Sequence, residues 1–293
     1  MSGTFDCRLV AEKFKTWVRE ELPRLSPIPT LATVLFKPRA QEASIQYRDL
    51  ILKDASRLGF HAKKFEPTSE SELWSLIGNL NSDPVISGII VFYPISGSMP
   101  DEDLMDLVNP LKDVEGLHSL NLGYLIKYKK FLDSGRTKKC VVPATAKAIV
   151  KTLQEHQVPI EGAFVSIINN SMRVGKPLGL MLENLGATVV KCHDKTEKTN
   201  LEECVRRADI LVTAVPSPDF SIDPCWIKKG ASILDVSYQG NIDVIQAREY
   251  AKIITIPDNR IGQVTRALLF VNLIYCAKAL KGLESKVEIS SPF

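Results

Sequence analysis

The segment Phe164–Gly179, FVSIINNSMRVGKPLG, runs from a short apolar stretch typical of a β-strand, through a polar turn, into a Gly-Lys-Pro sequence that can open a helix. Aligned peptide dipoles favour negative charge at a helix N-terminus, so such a turn is a candidate phosphate site. The turn reads N-N-S-M-R-V-G-K-P in place of the usual G-x-G-x-x-G. Two interpretations therefore stay open: a dinucleotide-binding turn, or a strand-to-helix loop with a proline in the first helical turn.

The next apolar run, TVVKCHD (188–194), ends in an acid about 20 residues beyond the turn. Asp194 can accept a hydrogen bond from the 2′-hydroxyl of an adenosine ribose and would repel a 2′-phosphate. The sequence therefore favours NAD over NADP as cofactor. The alternative is that Asp194 is a solvated loop acid beside Lys195.

Strand-like runs alternate with helical patterns along the rest of the chain, which is typical of α/β architecture with a mainly parallel sheet. Besides the two runs above, strands are predicted at 30–36, 61–65, 87–95, 209–215, 231–237 and 253–257. Helices are predicted near 44–57, 70–80, 145–156 and 264–280, the second with Ser69 and Glu72 as a capping box. We expect an N-terminal α/β domain (1–142), a Rossmann-like, doubly wound domain (143–265), and a C-terminal segment (266–293) that packs back on the first.

Composition excludes several classes of protein. A chain of 293 residues with 45% apolar residues can form about two domains, and a net charge of +3 gives no strong field for nucleic acid or a membrane surface. The six cysteines form no C-x-x-C pair, so neither a metal site nor a disulfide framework is indicated. No secretory signal or membrane span is recognisable. We expect a cytoplasmic protein without a metal.

Four segments between Tyr47 and Thr265 carry distinctive motifs: GIIVFYP (88–94), KDVEG (112–116), PATA (143–146) and SMRVGKP (171–177). Together they resemble the methylenetetrahydrofolate dehydrogenase/cyclohydrolase family of one-carbon folate metabolism. The corresponding family motifs are G-I-x-V-Q-L-P, K-D-V-D-G, P-C-T-P and the cofactor turn S-x-x-V-G-x-P. The last family motif, P-G-G-V-G-P-M-T, is much altered in Pro257–Thr265, where only Gly262 and Thr265 align.

The resemblance implies a homodimer that binds a tetrahydrofolate, polyglutamylated in the cell, in one-carbon metabolism and purine biosynthesis. The implied catalytic residues are Tyr47 and Glu115. The implied substrate-binding residues are Tyr47, Phe92, Pro94, Glu115, Gly262 and Thr265. The implied cofactor-binding residues are Thr145, Asn170, Ser171, Arg173, Val174, Gly175, Pro177, Asp194, Val215 and Pro216.

Three departures from the family pattern predict a narrower activity. Bifunctional members carry an arginine, which holds the NADP 2′-phosphate, where this chain has Asn170. They also carry a lysine in Tyr-x-x-x-Lys, where this chain has Ile51, and a glutamine that supports the lysine, where this chain has Phe92. Lys53 lies about 240° around the helix from Tyr47 and cannot simply replace the lysine. Hydride transfer needs no proton acceptor from the protein, but hydrolysis of the methenyl product does. The resemblance is thus to the monofunctional, NAD-dependent branch.

Other interpretations stay open. The protein can be a bifunctional NADP enzyme that uses Lys53, or a folate- or nucleotide-binding protein without catalysis. Tyr47 can be a packing residue, Glu115 a turn acid, and Thr145 a helix cap. Arg260 is expected to be a solvated arginine. The alternative is that it binds the glutamate tail of folate. The basic tract 124–139 is expected to be a solvated surface, with polyglutamate binding as the minority interpretation.

Overall fold

The structure is a computed structural model that describes residues 2–285. The strands, in chain order, are β1 (Gly3–Thr4), β2 (Thr30–Val34), β3 (His61–Phe65), β4 (Ile86–Val91), β5 (Phe164–Ile168), β6 (Thr188–Cys192), β7 (Ile210–Thr213), β8 (Ser232–Asp235) and β9 (Ile253–Ile254). The helices are α1 (Cys7–Glu21), α2 (Glu42–Leu58), α3 (Glu70–Ser82), α4 (Asp101–Met105), α5 (Ser119–Ile126), α6 (Ala144–Glu155), α7 (Gly175–Glu183), α8 (Lys198–Arg207), α9 (Val244–Ala247) and α10 (Gly262–Leu280).

The chain divides into two compact units, each built on its own parallel sheet. Of the described residues, the six-stranded unit combines 2–12 with Thr145–Thr265, and the three-stranded unit combines Lys13–Ala144 with 266–285. Two α/β units of this kind confirm the predicted fold class.

The six-stranded sheet has the order β1-β9-β8-β7-β5-β6, and all its strand pairs are parallel. The chain leaves β5 for β6 on one side and then returns to β7 on the other side, so the strand order reverses at β5. Ligands of open α/β sheets bind at the carboxyl ends of strands where such a reversal occurs. The turn after β5 and the loop after β7 flank that position.

The first residues of the chain belong to the six-stranded unit, so the expected first domain (1–142) needs a correction at its start. Strand β1 pairs with β9, where Gly3 N donates to Lys252 O at 2.8 Å. Phe5 is completely buried, and its ring lies edge-on to His156 with 5.0 Å between centroids. A two-residue strand has too few residues to show a period of two, which is why the sequence did not predict it.

The three-stranded sheet has the order β3-β2-β4, again with parallel pairs, and α2 and α3 connect its strands. The predicted cap of α3 is formed at Ser69. Glu72 N donates to Ser69 Oγ at 3.2 Å. In return the Glu72 carboxylate accepts from Thr68 N at 2.7 Å, and backbone hydrogen bonds from Thr68 and Ser69 lower the pKa of Glu72.

Apolar residues are distributed around helix α10, and most of its side chains are buried. In the three-stranded unit Phe270 stacks on Phe60 with 5.2 Å between ring centroids. Lys278 Nζ pairs with Glu21 Oε2 at 2.5 Å, and both side chains are buried. These contacts hold the C-terminal helix against the first residues of this unit.

Among the lysines and arginines of the basic tract 124–139, one is buried where a solvated surface was expected. Residues 130–140 form a hairpin in which Leu132 N donates to Lys138 O at 2.8 Å. Lys139 is buried, and its ammonium lies 5.9 Å from the centre of the Phe131 ring and 5.8 Å from that of Tyr275. Aromatic faces attract cations, so Lys139 belongs to the packing of the unit.

All six cysteines are free thiols. Over residues 2–285 no helix combines the length and the apolar character that a bilayer crossing requires.

Candidate functional site

The turn that follows β5 is organised by the side chain of Asn169. Its Oδ1 accepts hydrogen bonds from Ser171 N at 2.9 Å, Ser171 Oγ at 2.8 Å and Gly175 N at 2.9 Å. Its Nδ2 donates to Ala214 O at 2.8 Å. Asparagine suits this position because its amide both accepts and donates. The sequence analysis missed this role, since it considered only the neighbouring Asn170, and that residue only for its lack of charge.

Close packing explains the glycine of the turn. A Cβ on Gly175 would lie 2.0 Å from Asn169 O, so any larger residue would force the backbone apart. Ser171 Oγ accepts from Val174 N at 3.2 Å, and Ser171 O accepts from Lys176 N at 3.0 Å. Serine and glycine are thus required by the internal geometry of the turn.

The predicted cofactor residues of the turn differ in accessibility. Asn170 and Arg173 are exposed, Ser171 and Val174 are partly buried, and Gly175 and Pro177 are buried. The turn therefore offers one amide and one guanidinium to a ligand, and its small residues form the support beneath them. A guanidinium is a suitable partner for a diphosphate.

Asp194 lies two residues beyond the end of β6, whose last residue Cys192 pairs with Ile168 at the end of β5. The register therefore brings the acid to the same sheet edge as the Asn169 turn. Asp194 is exposed, and Lys195 Nζ lies 3.2 Å from its Oδ2. The hydrogen bond from Lys195 lowers the pKa of Asp194, so the side chain is a carboxylate at neutral pH. Both interpretations of Asp194 are compatible with this geometry.

The loop after β7 contains Val215 and Pro216, and a second asparagine holds it in place. Asn241 is completely buried, and its Oδ1 accepts from Thr213 Oγ1 at 2.8 Å and Val215 N at 2.9 Å. Asp235 Oδ2 accepts from Asn241 N at 2.5 Å. The sequence analysis missed Asn241 and Asp235, although an acid at the end of a strand and an asparagine after a glycine were available signals.

The altered segment Pro257–Thr265 is used to bind the start of the chain. Arg8 N donates to Asn259 Oδ1 at 2.9 Å, and Asn259 Nδ2 donates to Asp6 Oδ1 at 3.2 Å. Asp258 O accepts from the Arg8 guanidinium at 2.9 Å. Asn259 therefore has a structural role, because it holds the start of the chain.

The last predicted residues of the six-stranded unit also have internal partners. Arg260 is partly buried and donates to the carbonyls of Ser237 and Tyr238, which corrects the default of a solvated arginine. Thr265 is buried, and its hydroxyl donates to Ile261 O at 3.3 Å, one helical turn back.

Gly262 is the first residue of α10. Thr145 is the second residue of α6, which is not the cap position.

In the three-stranded unit the aromatic rings of Tyr47 and Phe92 meet edge-on, with 6.3 Å between centroids and 80° between planes. Tyr47 is partly exposed on α2, and Phe92 is buried at the end of β4. Ile51, one helical turn beyond Tyr47, is fully buried, whereas Lys53 is exposed. The residue four positions after Tyr47 is thus part of the hydrophobic core.

Two buried charges fix the rotation of α2, and the sequence analysis missed both. Arg48 Nη1 pairs with Glu66 Oε1 at 2.5 Å, and Asp54 Oδ2 accepts from Arg266 Nε at 2.6 Å. Arg48 and Asp54 flank Ile51 at a spacing of three residues, which places all three on one side of the helix. The sequence does contain a signal for this: Arg48 and Asp54 stand at positions where the helical spacing predicts apolar residues.

The loop that carries Glu115 is anchored by its two preceding charged residues. Lys112 Nζ donates to Leu80 O at 2.8 Å and to Asp83 O at 2.7 Å. Asp113 Oδ1 accepts from Glu115 N at 3.1 Å and Gly116 N at 2.9 Å. Burial raises the pKa of Asp113, and its hydrogen bonds from His118 N and Gly116 N oppose that shift.

Gly116 fixes the other side of this loop. Its φ is +73°, a left-handed conformation that glycine adopts without strain, and a Cβ there would lie 2.5 Å from Val142 C. The Glu115 side chain is partly exposed between these anchors. Pro94 is also exposed, after a cis peptide bond to Tyr93. The structure thus holds Tyr47, Phe92, Pro94 and Glu115 on ordered elements of one unit.

Over residues 2–285 no group of three or more histidine, cysteine, aspartate or glutamate side chains is arranged to hold a metal ion.

Comparison with known families and proteins gives consistent matches across the chain. Residues 5–115 match the family model of the tetrahydrofolate dehydrogenase/cyclohydrolase catalytic domain, and residues 143–281 match that of the NAD(P)-binding domain of the same family. The bifunctional protein FolD of Leptospira biflexa is 31% identical over 281 residues, which cover 92% of each chain. That of Methanoculleus marisnigri is 33% identical over 284 residues, which cover 93% of this chain and 95% of the relative.

Solved structures give the same result. A 5,10-methylenetetrahydrofolate dehydrogenase from the silkworm, Bombyx mori, has a TM-score of 0.82 at 28% identity, covering 94% of this chain and 98% of the other. The NAD-dependent 5,10-methylenetetrahydrofolate dehydrogenase from Saccharomyces cerevisiae has a TM-score of 0.86 at 25% identity, covering 96% of this chain and 98% of the other.

Proposed function

Because the chain belongs to the tetrahydrofolate dehydrogenase/cyclohydrolase family, we propose that it oxidises 5,10-methylenetetrahydrofolate to the 5,10-methenyl form with NAD and lacks cyclohydrolase activity. The observation that carries the proposal is that Ile51, which stands where the family motif has its lysine, is fully buried. Phe92, which stands where the motif has its glutamine, packs against Tyr47 and supports the same conclusion. Membership of the family supports an oxidoreductase of one-carbon metabolism that binds a tetrahydrofolate and NAD(P).

Hydride transfer is compatible with this set of side chains. The methylene carbon loses hydrogen with its electron pair, and the resulting cation is shared by two folate nitrogens. NAD, when bound, supplies the hydride acceptor on its nicotinamide ring. No side chain has to take up a proton, so holding the two reactants in the reactive geometry supplies most of the acceleration.

The proposed roles of the folate-binding residues follow from their positions. Tyr47 contacts the pterin or aminobenzoyl ring, since its ring is partly exposed and is supported from behind by Phe92. Glu115 accepts hydrogen bonds from the amino group and ring N–H of the pterin, because its loop holds a carboxylate at a partly exposed position. Pro94, Gly262 and Thr265 are proposed as further substrate-binding residues.

Hydrolysis of the methenyl cation is different because water addition and ring opening need a general acid and base. A lysine at position 51 would reach the substrate from the same helix as Tyr47, one turn away. Ile51 and Phe92 have no titratable group. Loss of the hydrolytic step is therefore the expected consequence of these two residues.

The preference for NAD rests on Asn170 and Asp194. Asn170 is exposed on the turn and carries no charge to balance a 2′-phosphate. Asp194 is an exposed carboxylate at the end of the neighbouring strand, where it can accept a bond from the ribose 2′-hydroxyl. We propose that Thr145, Ser171, Arg173, Val174, Gly175, Pro177, Val215 and Pro216 complete the NAD site.

A turnover assay on the purified full chain tests the proposal. Methylenetetrahydrofolate is supplied with NAD or with NADP, and both the methenyl absorbance and the reduced cofactor are followed. Methenyl substrate is then added alone. We expect methenyl product with NAD, a weak reaction with NADP, and no enzyme-dependent decay of the methenyl form. Rapid decay or a preference for NADP would overturn the proposal.

A bifunctional NADP-dependent enzyme is the second candidate, because the curated relatives named above are bifunctional FolD proteins. Lys53 would then have to serve as the proton carrier. Binding of folate or NAD without any turnover would instead support a non-catalytic protein. We further propose a cytoplasmic homodimer acting on polyglutamylated folate, which sedimentation and KM values with mono- and polyglutamates would test.

A further inference from the structure

The backbone N–H groups in the first turn of α7 donate hydrogen bonds to acceptors within the protein. The first N–H groups of a helix normally lack an intrahelical partner, and in dinucleotide sites they point at the phosphates. In α7 Gly175 N donates to Asn169 Oδ1 at 2.9 Å and Lys176 N donates to Ser171 O at 3.0 Å. Pro177 has no N–H, and Leu178 N donates to Val174 O at 2.9 Å. The N-terminus of α7 is therefore already capped.

The same asparagine joins the two loops that flank the reversal of strand order. Its Nδ2 donates to Ala214 O at 2.8 Å, and Ala214 N donates back to Ile168 O at 3.3 Å. Val215, the next residue, is held by Asn241. One amide thus fixes the turn after β5 relative to the loop after β7, where the sheet topology places a ligand.

We propose that Asn169 is the positioning residue of the cofactor site. Its amide caps α7 and ties the turn to the β7 loop, so that the diphosphate meets the exposed side of the turn at Asn170–Arg173 and not the end of the helix. The inference rests on the proposed function only in taking the ligand to be NAD. Both parts of the amide are needed, because the oxygen holds the turn and the nitrogen holds the loop.

Two variants separate capping from positioning. Asn169→Asp keeps an oxygen for Ser171 N and Gly175 N, but it cannot donate to Ala214 O. Asn169→Ala loses both functions. Asn79→Ala is the control, since Asn79 is an exposed amide on α3 in the other unit. For each protein the Kd for NAD by calorimetry, the melting temperature, and KM and kcat with methylenetetrahydrofolate are measured.

For Asn169→Asp we expect a Kd for NAD raised by about tenfold or more. Its melting temperature should fall by less than that of Asn169→Ala, because the aspartate loses the bond to Ala214 O but keeps the bonds that hold the turn. The increase in Kd should persist at about 1 M salt, which screens repulsion between exposed charges, and should also appear in Asn169→Ala, which introduces no charge. Asn169→Ala should lower the melting temperature and also raise Kd by about tenfold, with kcat at saturating NAD changed by about twofold or less. Asn79→Ala should leave Kd unchanged.

An unchanged Kd in both Asn169 variants would overturn the inference, as would a lower melting temperature with the Kd for NAD unaltered. The inference would also be overturned if the weaker NAD binding of Asn169→Asp disappeared at high salt and Asn169→Ala bound NAD with a normal Kd. If the unmodified chain binds NAD but produces no NADH, the proposed function fails, while the Kd values still decide the role of Asn169.

Discussion

Tyr47 and Phe92 meet edge-on in the three-stranded unit, with 6.3 Å between their ring centroids. An edge-to-face aromatic pair contributes about 0.5–1.5 kcal/mol beyond the area that it buries. The buried ring of Phe92 therefore gives the partly exposed ring of Tyr47 a hydrophobic support.

Restoring the polar pair should restore hydrolysis. We expect Ile51→Lys combined with Phe92→Gln to give enzyme-dependent decay of methenyltetrahydrofolate, which the unmodified protein lacks. Since Ile51 is fully buried, the lysine should also lower the free energy of unfolding, because burial disfavours the charged ammonium. Decay is followed by absorbance and stability by urea unfolding. Ile51→Met, similar in volume, is the control, and decay in the unmodified protein would contradict the prediction.

Cofactor choice should follow the charges at two positions. Asn170→Arg with Asp194→Ser should raise kcat/KM for NADP relative to NAD by about tenfold or more, since a hydrogen bond to a charged group contributes about 1.5–3 kcal/mol. Asp194→Asn alone should raise KM for NAD, and Asp103→Asn, an exposed acid on α4, is its control. If Asp194→Asn leaves KM unchanged, Asp194 is only a loop acid paired with Lys195.

The turn should not tolerate a methyl group at Gly175. A Cβ 2.0 Å from Asn169 O forces the backbone apart, so Gly175→Ala should lower the free energy of unfolding by about 1–3 kcal/mol and weaken NAD binding. Gly78→Ala is the control because its Cβ meets nothing within 4 Å on α3, and it should stabilise by about 0.5–1 kcal/mol. Urea unfolding measures both, and equal stabilities would contradict the geometry of the turn.

Acid should weaken the attachment of the N-terminal segment. Hydrogen bonds from Leu9 N and from Asn259 lower the pKa of Asp6 below its ordinary 3.8. A lowered carboxyl pKa stabilises the fold above the unfolded pKa, and this stabilisation is lost as pH falls through the folded pKa. The difference in unfolding free energy between the unmodified protein and Asp6→Asn should be constant above pH 3.8 and shrink below it. A difference that stays constant under acid would show that the Asp6 charge has no role.

The sequence predicted the features that depend on local chemistry. Strand runs such as 164–168 and helix patterns such as α3 were visible because side-chain periodicity and turn residues act within a few positions. The placement of Asp194 beside the turn was also accessible, since consecutive parallel strands such as β5 and β6 present their carboxyl ends to the same sheet edge. The family motifs added the identity of the substrate class.

By itself the sequence determined a two-unit α/β protein of this family, with an asparagine directly before the serine of the turn after β5 and an aliphatic residue four positions after Tyr47. Only the tertiary structure decided what the polar side chains do: Asn169 binds Ala214, Asn259 binds the chain's first helix, and Asp54 pairs with Arg266. These partners are 45 to 251 residues apart in the chain. The physical reason is that backbone preferences act between neighbours, whereas a side-chain hydrogen bond requires a partner that only folding brings within about 3 Å.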